Sequence, residues 1–437
     1  MRARCPWRLF LLSMVLVGLL AGCSQEPREE PVEPAVSPDV EPVVEAPGDE
    51  ESEVSTWILR FDGADYAVFT DILVRDEDIL VVGATAQKSA SDVLLASLSF
   101  DGDLNWKKTY GGTRYDQGMG ILETPDGGLL ILAETESFGA GKRDIYILHA
   151  DAEGREVWTQ TFGGPGTEWA RRMIMLSSGE YAAVGESDSL HGTDFDAYVV
   201  RFDLEGEQVW SGSFGEREED ESGAALLETD NGDLLVLAGV AYPGGYLHAH
   251  RDTRLFRVTG EGRERWSVLY RGDRRQYAND MAFTDDGDVI LAGLSETIAE
   301  VPGPTDFWIA RVSAETGFEQ WSRVEGSSFS DDYGYSMVQT ERSDEFMVVG
   351  FGPQLPVFRF TDEGKTVWVR ASGKDTTYGG MAIAKLPDDV LGGYVIAGLT
   401  DTGLVVDRLD AVLVRVGPNG EGMRAQGIPF KEALGSD

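Results

Sequence analysis

Seven tryptophans recur along this chain at nearly equal intervals, and that recurrence sets the terms for any fold it can adopt. They are Trp57, Trp106, Trp158, Trp210, Trp266, Trp321 and Trp368, separated by 49, 52, 52, 56, 55 and 47 residues. Four residues ahead of each of the last six stands a glycine: Gly102, Gly154, Gly206, Gly262, Gly317 and Gly364. A seventh glycine, Gly420, heads a slot in which Arg424 replaces tryptophan. Asp92, Asp144, Asp196, Asp252 and Asp410 stand ten residues before their glycines, Asp306 stands eleven before, and Gln354 fills the sixth slot. A period near fifty residues over this many copies marks a repeat architecture, each copy being one supersecondary unit.

Each copy reads as four short strands. In the copy that opens at Trp106, strands are expected over Trp106 to Tyr110, Gln117 to Glu123, Leu129 to Ala133 and Ile145 to Ala150. Hairpin signals separate them, as at Asp126-Gly127-Gly128, and recur at Ser178-Gly179, Asn231-Gly232 and Asp286-Gly287. No helical period runs through these segments. A four-stranded sheet of this size cannot bury both faces alone, but stacked copies bury one another. Stacking around an axis also leaves only short edges exposed. The pattern therefore predicts an all-β chain: a seven-bladed β-propeller of four-stranded antiparallel blades over residues 55–430, with a short tail at 431–437. A linear β-solenoid is the rival, although its copies are usually shorter. The last stretch, Met423 to Phe430, either adds a strand beside the first blade or replaces one.

The N-terminus reads as an address and a tether. Arg2, Arg4 and Arg8 precede an apolar run from Leu9 to Leu20, the layout of a secretory signal over residues 1–22. The run is short for a permanent span. It ends in Leu20-Ala21-Gly22-Cys23, which resembles the lipobox of bacterial lipoproteins. That resemblance implies cleavage before Cys23, lipid on Cys23 (palmitate among its acyl chains), and membrane anchorage outside the cytoplasm. Ser24 follows, with no aspartate in that place, so the likeness implies the outer membrane where the host has one. Residues 24–54 carry six prolines and eleven acids against one base, Arg28. Proline removes backbone donors and like charges repel, so a disordered linker is expected over 23–54.

Acidic residues outnumber basic ones by 76 to 37, a formal net charge of -39. Such a surface repels phosphate backbones and argues against nucleic acid as a partner. It suits a cation, a basic ligand or simply a well-solvated exterior. Both cysteines, Cys5 and Cys23, fall in the leader region, so the repeats carry no thiol or disulfide chemistry. Ten residues after the tryptophan stand Asp116, Glu168, Asp220 and Asp331, with Ala67, Gln276 and Tyr378 in the other slots. Small residues follow this slot, as Gly118, Gly120 and Ala170 do, which suits an innermost strand near a channel mouth. The four acids are a candidate site for a cation such as Ca2+ or for a basic ligand; a solvated acidic rim is the plainer reading. A longer loop holds Tyr242, Tyr246, His248 and His250, a candidate partner loop with too few ligands for a recognisable metal site.

The phrase Trp106, Tyr110-Gly111-Gly112, Asp116, Asp126-Gly127-Gly128, Asp144, Gly154, Trp158 resembles bacterial secreted β-propeller repeat proteins, and more loosely the quinoprotein-like propellers. Quinone-dependent enzymes of that class often use a vicinal cysteine pair, which the repeats here lack. Lipid-anchored propellers that assist outer-membrane protein assembly are a second likeness and imply a scaffold. Propellers host many functions. The expectation is a lipid-anchored binding or scaffold module for an envelope protein, glycan or basic ligand, with no cofactor required. An envelope enzyme at the channel, either a glycan hydrolase or a quinone-type oxidoreductase, is the alternative.

Overall fold

The computed structural model describes residues 56–59, 66–87, 90–189, 194–242, 251–272, 276–296, 305–325, 333–352, 355–371, 377–387, 392–401 and 410–419. Every strand among them belongs to an antiparallel sheet. Five sheets have four strands each, in simple sequential order, and cover residues 66–110, 116–162, 168–214, 220–270 and 276–325. A sixth has eight strands. It consists of a four-strand meander over 333–371, a three-strand meander over 377–416 and the strand at 56–59, the meanders being joined by a two-residue ladder that pairs Phe351 with Gly379 and Gly352 with Tyr378.

The strands follow from their residues. In the second sheet, Leu129–Thr135 is buried at every position, and Asp144–Ala150 likewise. Such continuous burial, led by the apolar run Leu129 to Ala133, is what a strand covered on both faces shows. The last strand of each four-stranded sheet is mostly exposed or half-buried, as in Glu156–Phe162, where Phe162 alone is buried. Between neighbouring sheets lie separate apolar layers. Leu80, Val82, Val93 and Leu95 of the first sheet meet Ile131 and Leu148 of the second. Phe69, Val81 and Leu94 of the first also pack with Val395, Ala397 and Leu413 near the end of the chain. The first strands of successive sheets touch in turn, and Thr377–Lys385 touches Tyr66–Val74.

Sequence repeat and sheet are out of phase by one strand. Trp106 opens its sequence copy but sits in the last strand of the first sheet, Leu104–Tyr110. The strand of Trp57, Thr56–Leu59, accordingly has no sheet ahead of it. It pairs with Asp410–Val416, the third strand of the final meander. The first described strand therefore joins the last meander. Met423 to Phe430, expected to take part there, lies outside the described residues.

Each first strand also carries a β-bulge, at Phe69/Asp71, Gly118/Gly120, Ala170/Arg172, Gly223/Ala225, Ala278/Asp280, Gly334/Ser336 and Gly380/Ala382. A bulge bends and twists the strand and re-aims the side chain after it. In the third sheet the bend brings the Trp169 carbonyl so close to Gly185 that a Cβ there would lie 1.7 Å from it. The residues just beyond the bulges include Asp71, Arg172 and Asp280.

Candidate functional site

Two kinds of charged constellation stand out, one between sheets and one where the first strands converge. The first occurs three times among the described residues. The loop that enters a new sheet passes a glycine flanked by two carboxylates, one from each sheet. A Cβ on Gly163 would lie 2.4 Å from Asp144 Oδ1 and 2.3 Å from Glu168 Oε2. At Gly111 the flanking oxygens belong to Asp92 and Asp116, and at Gly215 to Asp196 and Glu221. Only glycine leaves room there. The loop is tied across the junction by backbone, with Glu168 N–H donating to the Arg143 carbonyl and Glu221 N–H to that of Phe195.

Buried carboxylates need donors. Asp116 accepts from Gly112 N–H at 2.7 Å, from the Ser137 hydroxyl at 2.7 Å, and from Thr135. Glu168 accepts from Gly164 N–H at 3.0 Å, from Ser187 at 2.6 Å, and from Ser189. Burial, with the facing Asp116 charge behind it, raises the Asp92 carboxyl above its ordinary range. Glu221 departs from this scheme. Its Oε1 accepts from Glu216 N–H at 3.1 Å, while its Oε2 has no partner.

The second constellation crosses between distant sheets. Arg172 of the third sheet reaches Asp280 of the fifth at 3.2 Å and Asp71 of the first at 3.8 Å. The aspartates are held in turn by backbone: Ile121 N–H donates to Asp71, and Met337 N–H to Asp280. Ala225 and Ser336 line the same small cavity of about 250 Å³. Burial raises the Asp71 carboxyl, and the Arg172 charge works against that shift. Nearby, the Arg143 guanidinium lies 3.8 Å from the Trp169 ring centre and 4.4 Å from that of Tyr115, and pairs with Glu134 and Glu136. Both arrangements lock sheets to one another.

The three candidate acids among the described residues do not converge. Asp116 and Glu168 are fully buried, each at its own junction. Asp220 is exposed, and Asp331 lies outside the described residues. The sheet position that matches Asp116 and Glu168 is Glu221, two residues before the bulge at Gly223. Counting from the tryptophan lands one residue short, because the loop into the fourth sheet is one residue longer. Tyr242 donates its hydroxyl to Asp252 at 2.6 Å and carries the Arg271 guanidinium over its ring. Tyr246, His248, His250 and Cys23 fall outside the described residues. Among the described residues no group of three His, Cys, Asp or Glu side chains is placed to hold a metal ion. Sequence reading missed Asp71, Arg172 and Asp280. Their only signal was charge on a strand otherwise rich in small residues.

No family model and no curated protein matches the chain. Solved structures do. Raptor from Chaetomium thermophilum is 9% identical, with a TM-score of 0.50, covering 83% of this chain and 30% of that one. Sqt1 from the same organism, bound to the N-terminus of ribosomal protein L10, is 12% identical, with a TM-score of 0.49 and coverages of 80% and 86%. The Dos1 propeller is 10% identical, with a TM-score of 0.49 and coverages of 83% and 80%. At 9% identity the likeness to Raptor speaks to fold alone. The chain is an all-β, propeller-like protein built of four-stranded antiparallel sheets that resemble blades.

Proposed function

We propose that the chain is a seven-bladed propeller, carried outside the cytoplasm on a lipid at Cys23, that serves as a rigid binding or scaffold module. Seven blades follow when the eight-stranded sheet is counted as two, since only two residue pairs join its meanders. Contact between the first strands at 66–74 and 377–385 supports ring closure, as does the pairing of Thr56–Leu59 with Asp410–Val416. The strand Thr56–Leu59, by completing the last sheet, ties the two ends of the stack together.

One observation carries the module reading. The charged side chains near the axis are bound to one another across sheets, with Arg172 held between Asp71 and Asp280. This makes the stack stiff and leaves its loops and acidic exterior to meet a partner. With a net charge of -39, that exterior favours a basic protein surface or a cation-rich glycan layer. The lipid and the proline-rich linker would hold the module at a membrane while letting it reach.

The test expresses the full chain and a Cys23→Ser variant in a two-membrane bacterium and fractionates the envelope. The parent is expected in the outer-membrane fraction and the variant in the soluble one. Cross-linking of the anchored parent should then capture a basic envelope partner that high salt releases. Equal distribution of both chains removes the anchor from the proposal. A cross-linked parent with no partner removes the module.

A further inference from the structure

We propose that Glu221, facing Asp196 at the junction of the third and fourth sheets, holds a proton in the folded chain, and that the loss of this proton on the alkaline side loosens that junction. The pair differs from its two counterparts in a specific way. In the second and third sheets the inner carboxylate accepts two hydroxyls, from Thr135 and Ser137 for Asp116 and from Ser187 and Ser189 for Glu168. Asp116 is paired in register with Thr135, and Glu168 with Ser187. In the fourth sheet Glu221 is paired with Val240, which has no hydroxyl. Two residues on, the place of Ser137 and Ser189 is taken by Tyr242, whose hydroxyl goes to Asp252 instead. Both donors are therefore missing.

Glu221 is nevertheless fully buried, and its Oε2 has no partner. Asp196 Oδ1 and Glu221 Oε2 lie 2.2 Å and 2.8 Å from the one point where a Gly215 Cβ would sit. Glu221, this close to the Asp196 carboxylate and with no donor on its Oε2, is disfavoured as a second charge. The groups that face Glu221 sharpen the case. Asp196 comes from the third sheet, and Glu216 and Glu219 come from the entering loop. Arg254 comes from the strand Arg251–Val258 and is shared, with contacts to Glu219 at 2.6 Å, Glu216 at 3.4 Å and Glu221 at 3.4 Å. One guanidinium among four carboxylates leaves the cluster negative unless a proton is taken up. Burial foremost, helped by Glu219 and Asp196 and opposed by the Glu216 amide and Arg254, pushes the Glu221 carboxyl up to about 8.

A hard divalent ion is the poorer occupant. It takes about six to eight oxygens, and only two converge here. A proton needs no more than two: it sits on Glu221 and is donated toward Asp196. Once it leaves to solvent, repulsion acts across the junction between Glu221 of the fourth sheet and Asp196 of the third. The junction thereby becomes pH-sensitive at the inner carboxyl, the position that its two counterparts cap with hydroxyls.

The test compares the full chain with Glu221→Gln, which mimics the protonated state, and with Val240→Thr, which restores a hydroxyl. Because the folded carboxyl titrates above its unfolded value, the proton stabilises the fold fully at low pH. That stabilisation is lost as pH rises from about 4.5 to about 8. The parent's unfolding constant should therefore rise relative to that of Glu221→Gln by up to about tenfold per pH unit in this window. Val240→Thr should shrink the difference. Infrared difference spectra of the parent at pH 7 should show a protonated carboxyl band that Glu221→Gln lacks and Glu168→Gln keeps. The spectra decide the matter even if a variant folds poorly. Parallel pH curves, or a parent spectrum at pH 7 without that band, overturn the proposal.

Discussion

The indole of Trp106, in the last strand of the first sheet, lies against the turn at Gly154 in the second. A Cβ on Gly154 would sit 2.8 Å from the ring. The same contact joins Trp158 to Gly206, Trp210 to Gly262, Trp266 to Gly317 and Trp321 to Gly364. The two recurring residues of the sequence thus latch successive sheets together. Gly154 is left-handed, with φ of 74°. Alanine there should cost about 1–2 kcal/mol for the backbone and about 1–3 kcal/mol more for crowding the indole. Gly127 has φ of 83° with nothing within 4 Å of a Cβ, so Gly127→Ala should lose only the backbone term. Chemical denaturation of both variants reads the difference, and equal losses would remove the latch.

Arg172 should be costly to remove. Arg172→Met leaves Asp71 and Asp280 facing one another without a cation. The Arg172 side chain keeps 24% exposure, so a loss of about 1–3 kcal/mol at pH 7 is expected, below that of a fully sealed pair. Replacing both aspartates by asparagine in the same variant should recover most of it. Urea midpoints of the single and triple variants measure this, and a single variant as stable as the parent would show the bridge to be idle.

Stability should fall on the acid side for a different reason from the alkaline side. Burial acts to raise the carboxyls of Asp78 and Asp233, but hydrogen bonds outweigh it and hold both low. The donors are Arg75 and Ser97 for Asp78, and Arg257, Arg265 and Asn231 for Asp233. A carboxyl lowered by folding stabilises above its unfolded pKa, about 3.9 for aspartate, and loses that contribution as pH falls through the folded value. Unfolding should therefore steepen below about pH 4. Arg257→Met should make this limb shallower, as acid titration followed by circular dichroism would show.

Salt should stabilise the folded chain. With 76 acidic and 37 basic residues, the compact state concentrates like charge. Raising ionic strength from about 0.05 to 1 M shortens the screening length from over 10 Å to about 3 Å. The melting temperature should rise over that range in sodium chloride. A melting temperature that falls would mean that the surface ion pairs outweigh the self-repulsion.

Strand positions were largely legible in the sequence. The expected strands Gln117 to Glu123 and Ile145 to Ala150 appear as Asp116–Glu123 and Asp144–Ala150. Alternation and turn residues are local signals, and each strand obeys them where it stands. The site was less legible. Asp116 and Glu168 were found as a repeated slot, but their burial and hydroxyl donors were not, since Thr135 and Ser187 lie on a neighbouring strand. In the fourth sheet a single extra loop residue moved the slot from Asp220 to Glu221, and spacing alone cannot see a register change.

The amino-acid sequence by itself determined the repeating unit, its strands and turns, and the need for each copy to be covered by the next. Its period and apolar pattern leave a four-stranded sheet no other way to bury its faces. Only the tertiary structure decided that Thr56–Leu59 completes the last sheet, that Arg172 lies between Asp71 and Asp280, and that Glu221 faces Asp196 without a donor. Those partners are far apart along the chain. Their meeting depends on how sheets stack and where bulges aim side chains, and no local pattern of residues carries that geometry.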